Sequence, residues 1–211
     1  EIPEAVAPNL YISGGTDVIF RDSNPLPDLS AMDFAAQLAN FNLAAAYGLL
    51  DAPEWLRLTG FVDFEGTLRG GLRDPRIAGT AGLRQFAIND LALASAVAGP
   101  LRASLQDGAL IDLRGEQTEI AAEIDPSLLP NSFRFVNGEL LAEGRRDGNI
   151  LNAELRNFDI GSLAIRPIEN PDLGLVGGIL NANARFDLAD VFDPEVAASF
   201  AIATPALGSM K

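Results

Sequence analysis

The sequence predicts an all-β fold built as an antiparallel meander, and three observations carry that prediction. Apolar and polar residues alternate with period two: Val62, Phe64 and Leu68 share one phase, and the charged residues between them share the other. Turn dipeptides separate such runs at strand-length spacing. The chain has 211 residues, 48% of them apolar, so it has enough apolar side chains to fold despite a net charge of −14.

The elements follow from these signals in order. Residues 1–30 are rich in proline and predict an edge strand or two with a loose connection, whereas 31–50 is alanine-rich and ambiguous between strand and helix. A capping Asp51, an early proline and Glu54 predict a short helix over 51–57, and we expect at most two short helices in all. Three hairpins are predicted at Asp107-Gly108, Asn137-Gly138 and Asp147-Gly148.

Composition excludes several kinds of chemistry. The chain has neither Cys nor His, which excludes disulfide scaffolds, Cys/His zinc sites and Ser-His-Asp hydrolases. Asp187, Asp190 and Asp193 lack the pattern of a calcium loop, and Glu116, Glu119 and Glu123 lack aromatic sugar platforms. The sequence therefore predicts no catalytic residue, no metal site and no cofactor.

Charge also bears on the partner. Acidic residues outnumber basic ones by 29 to 15, and the basic residues are scattered, with Arg145-Arg146 the only adjacent pair. Because phosphate backbones are repelled by such a surface, no nucleic-acid partner is expected.

A repeat runs through the chain. The segment Leu38-Ala-Asn-Phe41 returns as Leu155-Arg-Asn-Phe158, and a weaker echo is Leu83-Arg-Gln-Phe86. Phe41 and Phe158, Gly60 and Gly178, and Pro75 and Pro194 are 117, 118 and 119 residues apart. We interpret residues 1–211 as one elongated repeating β domain, an excerpt of a longer protein, with repeat units 38–154 and 155–211, the second incomplete.

Residues 60–83 read GFVDFEGTLRGGLRDPRIAGTAGL, a glycine-opened strand, a G-x-L close, an Asp-Pro turn and a second alternating strand. With Asn89-Asp-Leu, residues 99–105 and Ile111-Asp-Leu-Arg-Gly, this order resembles the TamB family, the translocation and assembly module proteins. Within it, the branch of photosynthetic bacteria and the chloroplast envelope is the most similar. The resemblance covers about 38–205, and Ala198 replaces the mid-strand Gly79.

The resemblance implies an AsmA-like, bridge-type lipid-transfer protein. Such proteins form an elongated, curved, U-shaped β-trough, or β-taco, with an apolar inner face. It implies a periplasmic segment of an inner-membrane-anchored protein whose anchor lies outside this chain. It also implies phospholipid carriage to the outer membrane or support of outer-membrane protein assembly, with a BamA-like barrel as partner.

One apolar phase of the strands supplies the candidate residues for lining a groove that holds phospholipid acyl chains. They are Val62, Phe64, Leu68, Ile77, Ala81, Leu83, Phe86, Ile88, Leu101, Ala103, Leu105, Ile111, Leu113, Ile120, Ala122, Ile124, Leu151, Ala153, Leu155, Ala182, Ala184, Phe186, Val196, Phe200 and Ile202.

Two alternatives remain at this point. The many alanines leave room between the walls of an open trough, but they also suit bulky partners across an ordinary filled core. A structural β-solenoid, a scaffold whose sheet edges pair with client strands, would show the same alternation without conducting lipid.

Overall fold

The computed structural model describes residues 9–21, 24–47, 58–88, 91–163, 173–190 and 194–209. Twelve strands follow one another in chain order, each hydrogen-bonded to the next, and together they form one open antiparallel sheet. The all-β prediction is therefore confirmed. The strands pack into two compact units, one drawn from residues 1–116 and 123–129 and the other from 117–122 and 130–211.

The described part of the first unit contains six complete strands and one short helix. They are β1 (Asn9–Arg21), β2 (Asn24–Asn42), α1 (Leu43–Tyr47), β3 (Leu58–Gly71), β4 (Asp74–Ile88), β5 (Leu91–Ser104) and β6 (Gly108–Arg114). The ambiguous segment 31–50 is strand as far as Asn42 and helix over Leu43–Tyr47, and residues 48–50 lie outside the described ranges. The helix predicted over 51–57 lies outside the described residues.

The strand β7 (Thr118–Ile124) contributes to both units, and the second unit continues with five more strands and a 3₁₀ helix. These are β8 (Pro130–Asn137), β9 (Leu140–Asp147), β10 (Ile150–Asp159), the 3₁₀ helix Ile160–Leu163, β11 (Leu173–Asp187) and β12 (Glu195–Ser209).

The predicted hairpins lie where the turn dipeptides place them. Gly138 and Gly148 open the turns that join β8 to β9 and β9 to β10, with φ of 60° and 59°. Side chains with a Cβ rarely adopt this left-handed conformation, which explains the glycine at each position. Gly108 begins β6, directly after the turn that includes Asp107.

The two units share one pairing scheme. Phe64 lies opposite Ala81 between β3 and β4, and the residues 118 and 119 positions later, Ala182 and Phe200, lie opposite each other between β11 and β12. The pair Leu38 and Phe64 between β2 and β3 likewise matches Leu155 and Ala182 between β10 and β11. Strands β2–β4 therefore correspond in register to β10–β12.

The irregularities of the strands correspond as well. Asn40 and Asn157 both have positive φ, 58° and 57°, at a β-bulge in β2 and β10. Each bulge is followed by a short helical turn whose first free N–H groups need an acceptor. Asn42 Oδ1 accepts from Ala44 N at 2.9 Å, and Asp159 Oδ1 accepts from Gly161 N at 2.8 Å.

The compact units do not coincide with the predicted repeat boundary. The division into compact units falls between residues 117 and 129. The predicted repeat units 38–154 and 155–211 are instead defined by similar sequence motifs. The assignment of one repeating domain with those bounds stays a prediction.

Candidate functional site

The registers assemble one apolar face in the first unit. Leu38, Phe64 and Ala81 lie side by side on β2, β3 and β4, and Gly99 continues the row on β5. Because alternate residues of a strand share a face, the residues two positions before and after each member of this row lie on the same face. Among the predicted groove residues, those on this face are Val62, Phe64, Leu68, Ile77, Ala81, Leu83, Leu101, Ala103, Ile111 and Leu113.

The second unit has a corresponding apolar face. Ala153 lies between Gly144 and Ala184, and Ala184 lies opposite Ala198 on β12. The predicted residues on this face of β10, β11 and β12 are Leu151, Ala153, Leu155, Ala182, Ala184, Phe186, Val196, Phe200 and Ile202.

The strand β7 supplies three more of the predicted residues. Thr118 Oγ1 lies 3.4 Å from Asn137 Oδ1, which places alternate residues of β7 on the same face as Phe133 and Phe135 of β8. Ile120 and Ala122 are therefore on the apolar face of the second unit. Ile124 follows in the same phase, within the part of β7 that belongs to the first unit.

Three predicted groove residues depart from these rows. Leu105 was predicted on a strand but lies in the turn after β5, which ends at Ser104, and it is 62% exposed. Phe86 lies just beyond a bulge at Gln85, where φ is 53° and the alternation is interrupted. Ile88 ends β4, and its side chain lies outside the described set.

The registers also add apolar residues that were not among the predicted groove residues. Their signals were present but weak: an alanine-rich run surrounds Val97, the segment around Phe34 and Leu38 was ambiguous, and the Phe133 to Phe135 alternation is short. All five lie on the apolar faces.

The apolar face of the first unit is more buried than its polar face, yet no second sheet covers it among the described residues. Val97 and Leu113, in the middle of the face, are each 3% exposed. Towards a strand end, Ile77 is 38% exposed. Contacts between elements are mainly those of neighbouring strands, with α1 on β3 and the 3₁₀ helix on β11. Burial therefore comes from neighbouring side chains within the sheet.

Aromatic rings on the apolar faces lie over glycines. A Cβ at Gly66 would lie 2.6 Å from Phe64 Cζ, and one at Gly79 would lie 2.9 Å from Phe64 Cε2. The ring therefore covers this pair of opposed glycines and lies flat on the sheet. Two further rings each lie over the glycine directly opposite, Phe34 over Gly14 and Phe133 over Gly144.

The opposite face of the first unit carries charged residues, several of them joined in ion pairs. Arg84 donates from Nε to Asp63 Oδ2 at 2.8 Å and from Nη2 to Asn40 Oδ1 at 2.5 Å, and its guanidinium lies 5.7 Å from the centre of the Phe61 ring. Asp63 also accepts from the N–H of Asn40 at 2.8 Å. The hydrogen bonds from Arg84 hold the pKa of Asp63 below its ordinary value, and the bond from Asn40 acts in the same direction.

Clefts also occur on this polar face. One of about 590 Å³ lies between Glu65, Thr80, Arg84 and Arg114, with the small residue Ala98 beneath. Its arginines are already engaged, Arg84 with Asp63 and Arg114 with Asp112. The cleft therefore reflects long side chains standing beside short ones.

Comparison of the chain with protein-family models, curated proteins and solved structures finds no match. Within the described ranges, no helix is both long enough and apolar enough to cross a membrane. In the same ranges, no three His, Cys, Asp or Glu side chains gather in a group that could hold a metal ion.

Proposed function

We propose that this chain is a non-enzymatic segment of an envelope-spanning protein whose apolar sheet face carries phospholipid acyl chains between the inner and outer membranes. One observation carries the proposal: apolar residues run from strand to strand across each unit with no second described layer upon them. An ordinary globular sheet hides such a face against another layer.

The energetics suit a mobile ligand. Each lipid methylene removed from water is worth about 0.8 kcal/mol, so contact with several methylenes holds a chain at the face. Apolar contact is non-directional, which lets the lipid slide from one row of side chains to the next. The ion pairs on the opposite face, such as Arg84 with Asp63, keep that side hydrated.

The cellular setting rests on the resemblance to the TamB family. It supports a periplasmic location, an inner-membrane anchor beyond this chain, and a BamA-like barrel as partner. The proposed role includes support of outer-membrane protein assembly. Neither role requires a catalytic side chain.

Lipid retention tests the proposal. The protein is purified gently from cells, and co-purified phospholipid is measured by native mass spectrometry and by solvent extraction. We expect bound phospholipid in the unaltered protein and its loss in Phe64→Asp and Ile111→Asp, because an acyl chain on the apolar face would have to remove the new carboxylate from water, which costs free energy. Ile77→Asp, at a more exposed position of the same face, should lower retention in the same way.

Leu110→Asp is the matched control. Leu110 neighbours Ile111 on β6, lies on the polar face and is 50% exposed, so the same kind of change there should leave retention intact. Circular dichroism of every variant separates lost binding from lost folding. Absence of phospholipid from the unaltered protein, or equal loss in Leu110→Asp, would refute lipid carriage.

A structural scaffold is the second candidate, and the composition of β12 favours it. Residues 196–204 of this strand carry no charge, and β12 is the last strand of the described sheet. Long uncharged edges are templates for pairing with another strand. Strand capture in a preparation that holds no lipid would support the scaffold over the conduit.

A further inference from the structure

Three turns of the first unit each expose a leucine. Leu72 lies between β3 and β4, Leu105 between β5 and β6, and Leu128 between β7 and β8, and they are 62%, 62% and 82% exposed. Because neighbouring strands are antiparallel, every second turn of the meander falls at the same end of the sheet. These three residues therefore form one leucine edge, with successive members two strand spacings, or about 10 Å, apart.

Contacts between the strands confirm that the three turns are neighbours. Arg76, just after the first turn, pairs with Ser104, just before the second. A Cβ at Gly108, just after the second turn, would lie 2.9 Å from the Cα of Asp125, which begins the third. The residues of the third turn, 125–129, belong to the first unit. The leucine edge thus lies within a single compact unit.

The third turn holds its leucine outward in a strained conformation. Leu128 has a φ of 64°, a left-handed value that is unfavourable for a bulky side chain and easy for glycine. Its N–H donates to Asp125 O at 2.9 Å, and Asp125 Oδ1 accepts from Ser127 N at 2.8 Å and Leu129 N at 3.0 Å. The turn therefore fixes a leucine where glycine would fit more easily, and such strain points to a role outside the fold.

The carboxylates beside the leucine edge are engaged within their own turns. Asp107 Oδ2 accepts from the hydroxyl of Ser104 at 3.0 Å, and Asp74 Oδ2 accepts from Arg76 Nη2 at 3.1 Å. Arg73, at the tip of the first turn, is exposed and forms no ion pair within the described part of the chain. The groups that face outward are therefore apolar side chains and a cation, although the chain as a whole is acidic.

We propose that the leucine edge inserts into the surface of a phospholipid bilayer, with Arg73 at the lipid phosphates. Polar residues such as Gln106 and Ser127 lie beside the leucines, so the apolar surface is not continuous. A protein partner would need a separate pocket for each leucine, whereas the fluid boundary between head groups and acyl chains admits each side chain independently. This inference stands on the turns and does not depend on lipid carriage by the apolar faces.

Co-sedimentation with vesicles of pure phosphatidylcholine tests the proposal. Leu72→Ser and Leu105→Ser should each weaken vesicle binding about fivefold to tenfold, because less apolar surface enters the bilayer. Leu110→Ser is the matched control, since Leu110 is 50% exposed but lies within β6, away from the turns. Phe64→Asp, which should abolish phospholipid retention, should leave vesicle binding unchanged, so the two proposals can fail separately.

Leu128→Gly separates membrane binding from folding. Glycine adopts a φ of 64° without strain, so this variant should unfold at the same or a higher urea concentration than the unaltered protein. It should nevertheless bind vesicles about tenfold more weakly, because it lacks the most exposed of the three leucines. Unfolding cannot cause a loss of binding in a variant that is at least as stable.

A dye reports insertion directly, because the chain has no cysteine of its own. An environment-sensitive dye on Ser127→Cys should brighten and shift to the blue on vesicles, and the same dye on Glu116→Cys, in the turn at the other end of β7, should not. No vesicle binding, equal loss in Leu110→Ser, or the same dye response at both positions would overturn the proposal. Capture of a soluble protein by the leucine edge without any vesicle binding would overturn it as well.

Discussion

Asp63 ties a bulge in one strand to two neighbouring strands. Its carboxylate accepts from the backbone N–H of Asn40 on β2 and from the guanidinium of Arg84 on β4. In the second unit, Asn181 Oδ1 accepts from Asn157 N at 3.0 Å. The hydrogen bond to the backbone of the bulge is therefore present in both units, but in the second unit its acceptor is an uncharged amide. The shared element is therefore the backbone bond, and the ion pair is an addition of the first unit.

Asp63→Asn isolates that addition, because the amide can still accept from Asn40. We expect a loss of about 0.5 kcal/mol at neutral pH, modest because Arg84 and Asp63 are 44% and 37% exposed. The pKa of Asp63 is lowered from 3.8, so its stabilising effect is fully present above that pH and is lost as the pH falls through the lower folded value. Urea unfolding at about pH 7, 5 and 3 should show the two proteins converging at the acid end.

Asn181→Asp is the control for this change. The position corresponding to Arg84 is Ala203, so the new carboxylate gains no guanidinium and should bring no stability at neutral pH. A constant difference between Asp63→Asn and the unaltered protein down to pH 3 would contradict the electrostatic account.

The two units place the large apolar side chain at different positions of their corresponding strand pairs. On β3 and β4, the Phe64 ring covers the opposed glycines Gly66 and Gly79 and faces Ala81. On β11 and β12, alanines replace both glycines, and the large residue has moved across to Phe200, opposite Ala182. The second unit thus accommodates a Cβ that the first unit excludes.

Gly79→Ala should therefore destabilise the protein by about 1 to 3 kcal/mol, because its Cβ would meet the backbone oxygen of Glu65 first, then the Cα of Gly66 at 2.6 Å and the Phe64 ring at 2.9 Å. Combined with Phe64→Ala, the same change should cost somewhat less than the sum of the two single losses, because the double variant relieves the contact with the ring and keeps those with the backbone of Glu65 and Gly66. Urea unfolding of the four proteins in this cycle measures the coupling.

Gly15→Ala serves as the reference, since a Cβ there would meet nothing within 4 Å. It should change stability far less than Gly79→Ala. Strict additivity of Gly79→Ala and Phe64→Ala would show that the ring does not limit the space at Gly79.

Alternation and turn dipeptides predicted the strand type, the hairpins and most of the apolar rows, because period two and left-handed turn residues are local properties. The sequence motif Leu-x-Asn-Phe was noticed as a repeat, but its structural meaning, a bulge with positive φ at Asn40 and Asn157, was not predicted. The bulge depends on the side chain of Asp63 or Asn181 from the next strand, and this partner is distant in sequence. Leu105 was predicted on a strand, but β5 ends one residue earlier at a local turn, in which Asp107 N donates to Ser104 Oγ at 2.8 Å.

At the scale of the molecule, stability should be local to each unit. Strands in a single sheet pack mainly on their neighbours, so a perturbation spreads from strand to strand and weakens with each step. The clefts on the polar face could not be predicted from the sequence. They depend on which long side chains lie next to short ones on neighbouring strands, as Arg84 and Ala98 do.

Hydrogen exchange with mass spectrometry tests this locality. Gly79→Ala should speed exchange in β3 and β4 and leave β10 and β11 unchanged, and Asn181→Ala should do the reverse. The two variants serve as controls for each other. Uniformly faster exchange throughout the chain in either variant would instead indicate one cooperative whole.

The strict chain order of the twelve strands has a kinetic consequence. Each strand finds its first hydrogen-bonding partner in the strand synthesised just before it, so loop closure involves short separations and the contact order stays low for a β protein. A nascent chain can therefore extend the sheet one strand at a time as it emerges. Among the twelve described strands, none has to wait for a distant segment, which shortens the time that its edge is exposed to other chains.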